Sequence, residues 1–248
     1  MGYKLATGND DCSFNIIKEI SEDELNTIND KIRELQKVMM CKDYYMIIID
    51  NIEEWQNALQ RYDIIDRKGI TTLNRYMYNI LGAFYAWIEY NESNYKSIFG
   101  KIKGDYYDNY FEYRMMYNLR TYMTHCEMGI SQVEIDFDKG EVNIYASPKE
   151  LLEKGKSRLQ SKIKQELKVM EQNNEMLDID ELVTGFKEMF KAMHKDLMAE
   201  LELGVRKIMN FFASECNPTE DTFVLSEDEK KIIMNINNFV RLFYNKVY

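Results

Sequence analysis

The chain has 248 residues, 45% of them hydrophobic and 30% charged, with only 2 prolines and 11 glycines; this describes a globular protein with a sizeable core, long helices and short connections. A formal net charge of −10 excludes a surface that coats duplex nucleic acid, because binding on that scale needs a surplus of Lys and Arg. Cys12, Cys41, Cys126 and Cys216 are scattered without a CxxC pair, which points to reduced thiols and a cytoplasmic setting, and no run reaches the roughly 18 apolar residues of a membrane span.

Residues 1–20 have weak periodicity and read as a short extended segment or N-terminal arm, with Gly8-Asn-Asp-Asp11 as a turn. Ser21-Glu-Asp-Glu24 is a capping box, and Leu25, Ile28, Ile32, Leu35 and Met39 follow at helical spacing. That predicts a first helix to about Met40. A second is predicted from Tyr44 to about Tyr62 and a third from near Thr71 to a polar break at Asn91 to Asn94. The fourth, from Asp105 to His125, is apolar on nearly every face, as a central helix should be, with Gly129 as its stop. Residues 21–130 thus form a helical core.

Residues 131–146 change period. Val133, Ile135 and Phe137 alternate with polar residues, Asp138-Lys-Gly140 is a turn, and Val142, Ile144 and Ala146 alternate again, the pattern of a β-hairpin. Ser147-Pro-Lys-Glu150 opens another helix with proline in its first turn. Residues 147–248 read as C-terminal helices packing on the core, with a polar gap at Glu171 to Glu175, new starts at Asp178-x-x-Glu181 and Ser226-x-x-Glu229, and Pro218 in the loop between the last two helices. The expected fold is mainly α, a helical bundle with a small β-hairpin insert.

There are only 2 histidines in the chain. His194 sits in an apolar helical stripe and reads as an ordinary helix residue. His125 lies in the last turn of the central helix, and Arg120 precedes it. An arginine is a permanent planar phosphate clamp, and a histidine moves protons near neutral pH. Because RNA carries its own 2′-hydroxyl nucleophile, a base and a clamp suffice to cleave it without metal. Five positions turn an ideal helix by about 140°, so the two side chains do not share a face unless the arginine stem reaches round. The bland reading is that His125 bonds the last carbonyls of its helix while Arg120 faces solvent. Tyr113 and Tyr117 fit either an RNA-stacking cleft or the core, and Glu112 and Arg114 either orient the site or pair on the surface. Cys126 points about 100° away from His125 and is no partner for it. No metal-ligand, Walker or Rossmann pattern is present, so no metal or other cofactor is implied.

The stretch Glu112-Tyr-Arg-Met-Met-Tyr-Asn-Leu-Arg-Thr-Tyr-Met-Thr-His125 resembles the signature helix of the HEPN superfamily, whose members include metal-independent ribonucleases of toxin-antitoxin, abortive-infection and CRISPR systems. By that resemblance Arg120 and His125 match the catalytic pair, with Thr121 where the family most often has asparagine, and Tyr117, Tyr113 and Glu112 in support. It implies an all-helical homodimer whose composite site cuts single-stranded RNA and leaves a cyclic phosphate, in phage defence or as a toxin, under an antitoxin or other regulatory partner. A non-catalytic interaction protein that dimerises through the same helix is the competing expectation.

Overall fold

The computed structural model describes residues 3–8, 14–60, 67–126, 129–136, 141–215, 222–226 and 231–247. In chain order the first elements are β1 (Tyr3–Gly8), β2 (Phe14–Ile20), α1 (Glu22–Gln60), α2 (Arg67–Asn94), α3 (Lys96–Asn109) and α4 (Phe111–His125). Then come β3 (Gln132–Asp136), β4 (Glu141–Ala146), α5 (Pro148–Lys154), α6 (Ser161–Gln172), β5 (Leu177–Asp178), α7 (Ile179–Glu215), β6 (Thr222–Ser226), β7 (Lys231–Asn235) and α8 (Ile236–Val247). The protein is mainly helical, as its periodicity predicts. It divides into two compact units, residues 1–43 with 198–248, and residues 44–197.

The first unit holds an antiparallel sheet of order β2-β1-β6-β7. Its centre joins the chain ends, Tyr3 facing Ser226 and Thr7 facing Thr222. The N-terminal segment is extended, as one of its two readings has it: it forms a strand pair in the sheet, not a free arm, and Leu5, Ala6 and Val224 are fully buried. The helix expected to open at Ser226 is corrected: Ser226 ends β6, residues 231–235 form β7, and α8 starts at Ile236. Ile232, Ile233 and Ile236 fit a helical stripe on paper, but the β-branched pair lies in a strand bonded to β6. The capping box at Ser21 is present, with the Ser21 N–H donating to Glu24 at 2.8 Å and the Glu24 N–H to Ser21 Oγ at 3.2 Å. Helix α1 then runs unbroken for 39 residues, where two helices were expected.

The second unit holds the antiparallel sheet β3-β4-β5 and the helices around α4. The hairpin has the expected register, with Val133 opposite Ile144 and Ile135 opposite Val142. Ser147 Oγ accepts from the Glu150 N–H with Pro148 in the first turn of α5, and Asp178 Oδ1 accepts from the Glu181 N–H at 2.9 Å. The polar gap also holds: α6 ends at Gln172, and Asn174 takes a left-handed φ of 57°. The core is aromatic. Phe84 meets Tyr113, Phe186 and Phe190 edge-on, Trp87 meets Phe99 and Phe190 in the same way, and each such pair is worth about 0.5–1.5 kcal/mol beyond its buried area. His194 is buried here, its ring stacked on Tyr45 at 4.0 Å.

The turn at 138–140, Phe137, Pro218 and the remainder of the Gly8 and Ser226 motifs lie outside the described residues. Cys41 and Cys126 carry free thiols. Among the described residues no helix is long and apolar enough to cross a membrane.

Candidate active site on the last turns of α4

The helix expected from Asp105 to His125 is two helices, broken where Tyr110 is extended at φ −117° and ψ 121°. Neither glycine nor proline makes that break. Its cause is Arg114, which donates from Nη1 to the carbonyls of Tyr107 and Asp108 at 2.7 and 3.2 Å, satisfying acceptors that the last turn of α3 leaves open. The other side of the guanidinium holds the Glu166 carboxylate through Nε and Nη2. Arg114 is thus a buried anchor between α3, α4 and α6, and neither orients the site nor pairs on the surface. One turn later the buried Asn118 donates to the Arg114 carbonyl at 2.8 Å and accepts from the Gln160 N–H, also at 2.8 Å. Gln160 caps the start of α6, so these two residues set how α4 lies on α6.

These anchors bury most of α4. Tyr113, Met115, Met116, Leu119, Tyr122 and Met123 are all buried with Arg114 and Asn118. From Tyr117 onward the residues left at least partly open are Tyr117, Arg120, Thr121, Thr124 and His125. At about 100° per residue they fill one continuous arc of about 140°, with Arg120 at one edge and His125 at the other. The two candidate side chains therefore border the same open stripe, although no hydrogen bond, ion pair or ring contact joins them.

Arg120 leans across to α2. Its Cζ lies 3.8 Å from the centre of the Tyr85 ring, a cation–π contact, and Tyr85 is tilted against Tyr117 at 6.2 Å. Burial holds the Tyr85 phenol above its ordinary value; the negative charge of Glu89 adds to that, and Arg120 acts in the opposite sense. Lys103 of α3 sits 5.6 Å from the Tyr117 ring but is ion-paired with Glu92. Among the described residues no carboxylate pairs with Arg120. In a chain with a net charge of −10, a half-buried guanidinium with no carboxylate paired to it among the described residues is a ready place for an anion.

His125 ends α4 and is exposed, and the backbone N–H of Cys126 closes the helix on the Tyr122 carbonyl. Gly129 does not act as a left-handed stop. Its role is close approach, since a Cβ there would stand 3.2 Å from both Leu119 Cδ1 and Met123 Sδ. Thr121 is half-buried on the stripe between the two candidates. Tyr113 is fully buried, stacked parallel to Tyr117 at 6.4 Å, and its hydroxyl has no partner among the described residues; it belongs to the core. Glu112 lies beside Gly185 of α7, in a groove shared with Glu175, Asp178 and Glu181. That groove is acidic and is not joined to the stripe.

No family model, curated protein or solved structure matches the chain. The residues have to carry the functional argument alone. Tyr85 and Lys103 had no signal in the sequence, because both lie on other helices and reach α4 only through packing. Among the described residues no cluster of His, Cys, Asp or Glu is placed to hold a metal ion.

Proposed function

We propose that the chain is a metal-independent endoribonuclease of HEPN type that cuts single-stranded RNA, with Arg120 as the phosphate clamp and His125 as the general acid and base. The observation that carries this reading is the Arg120 guanidinium, with no acid paired to it among the described residues, on the open stripe of α4 that runs from Tyr117, with the exposed His125 imidazole at its other edge. His125 takes the proton of a ribose 2′-hydroxyl as that oxygen attacks the adjacent phosphorus. A new P–O2′ bond forms, the P–O5′ bond breaks, and Arg120 holds the charge on the non-bridging oxygens. The leaving 5′-oxygen needs a proton. A second copy of the chain related by a two-fold axis supplies it from its own His125, which makes a homodimer the active form. The resemblance of the helix adds a role as a toxin or in phage defence, under a regulatory partner.

The test compares total RNA before and after expression of the wild type, Arg120→Ala and His125→Ala, with purified protein assayed in EDTA. Fragments ending in cyclic phosphate, formed by the wild type with EDTA present and lost in both variants, are the expected result. Cleavage that persists in both variants overturns the reading. A non-catalytic role, in which the same stripe only binds a second copy or a partner, draws on the lack of any contact between Arg120 and His125 within one chain; it predicts intact RNA throughout.

A further inference from the structure

We infer that Tyr85 of α2 is the positioning residue for Arg120: its ring fixes the guanidinium with its positive charge intact, so that the N–H edge is presented to the phosphate of a single-stranded RNA. This rests on the reading of Arg120 as the clamp. An arginine side chain is long and flexible. An unrestrained side chain of this length samples many rotamers, and a ligand that stops the motion loses affinity by doing so. A protein can remove that cost in advance with a carboxylate or with an aromatic face. The two are not equivalent.

Arg114 shows the first solution, since Glu166 immobilises it and also neutralises it. A phosphate arriving there would have to displace a carboxylate. Arg120 shows the second, with Cζ 3.8 Å from the Tyr85 ring centre and no acid paired with it among the described residues. The face of the ring attracts the cation through its quadrupole and leaves the planar fork of N–H donors available. Tyr117, three positions before Arg120 on the same stripe, leans on Tyr85 from the other helix, which holds the ring in place. Among the described residues the only other cation on these rings, Lys103, is already paired with Glu92. Among the described residues the site therefore offers one positive charge without a paired acid, on a fixed support, which suits a single phosphate of a flexible strand and not a continuous backbone track.

The measurement is the dissociation constant for a labelled 12-mer of oligouridine, made in the His125→Ala background so that the probe stays whole, alongside cleavage by the His125 protein. Tyr85→Leu should weaken binding by about tenfold, Tyr85→Phe should hold it close to the parent value because the ring is kept, and Tyr85→Leu should add nothing once Arg120 is alanine. Binding weakened by Arg120→Ala and untouched by Tyr85→Leu overturns the inference and leaves the nuclease reading standing. A loss from Tyr85→Leu that persists in the Arg120→Ala background also overturns it, since the ring would then act through the fold. If the wild type leaves RNA uncut while the Tyr85–Arg120 coupling in binding remains, the nuclease reading falls and the positioning role stands. An oligouridine that no form of the protein binds sinks both.

Discussion

Arg114 and Arg120 lie less than two turns apart on one helix and do opposite work. Arg114 is buried, doubly bonded to Glu166 and spent on the α3 carbonyls, whereas Arg120 is half-open, rests on an aromatic ring and has no acid paired with it among the described residues. The residue type is the same, and the neighbours decide its use. A guanidinium surrounded by matched acceptors is structural, while one held by a ring alone keeps its capacity to bind an anion.

Five substitutions test that contrast, and the largest effect belongs to the open end. Arg120→Ala and His125→Ala should each lower RNA cleavage by at least about 100-fold and leave the thermal midpoint unchanged; a matching fall in stability would mean that the two ends are not distinct. At the closed end Arg114→Ala should cost about 3 kcal/mol in urea unfolding, because it strands the partly buried Glu166 carboxylate and uncaps α3. Asn118→Ala should cost about 2 kcal/mol by the same measurement, since the Gln160 N–H loses its acceptor. The smallest effect is a gain. Tyr113→Phe should stabilise the protein by about 1 kcal/mol, because the buried hydroxyl it removes has no partner among the described residues.

The last of these depends on pH. Burial, with smaller contributions from Tyr117 and Glu92, pushes the Tyr113 phenol well above its ordinary value. The unfolded chain releases this proton near pH 10 and the folded chain only at higher pH. Above about pH 10 the folded state therefore binds more protons than the unfolded, and stability falls as pH rises. The advantage of Tyr113→Phe should widen in melts taken above that point and stay flat below it.

What was legible in the sequence was local. The capping pairs Ser21 with Glu24, Ser147 with Glu150 and Asp178 with Glu181 are three residues apart and form as read, because both partners belong to the same helical turn. The continuity of α1 through Cys41-Lys-Asp43 was missed since none of these residues breaks a helix; each costs it only a fraction of a kcal/mol. The break at Tyr110 was invisible for the opposite reason: Arg114, which takes up the open α3 carbonyls, is itself held by a carboxylate on α6, 52 positions along the chain. The sheet that pairs β1 with β6 joins the two ends of the chain, and no window along the sequence contains both strands. The candidate site divides in the same way, with Arg120 and His125 readable as residue types on one helix and Tyr85 found only through packing.

The grip of Arg114 and Asn118 on α6 also fixes the angular phase of α4. One residue inserted between Leu119 and Arg120 would leave both anchors in place and swing everything after them by about 100°. The guanidinium would leave its ring and the imidazole would change sides, while the buried network kept its bonds. The reactive edge thus tolerates change of side chain far better than change of length, and the carboxylate of Glu166, remote from the stripe, sets the zero from which its rotation is counted.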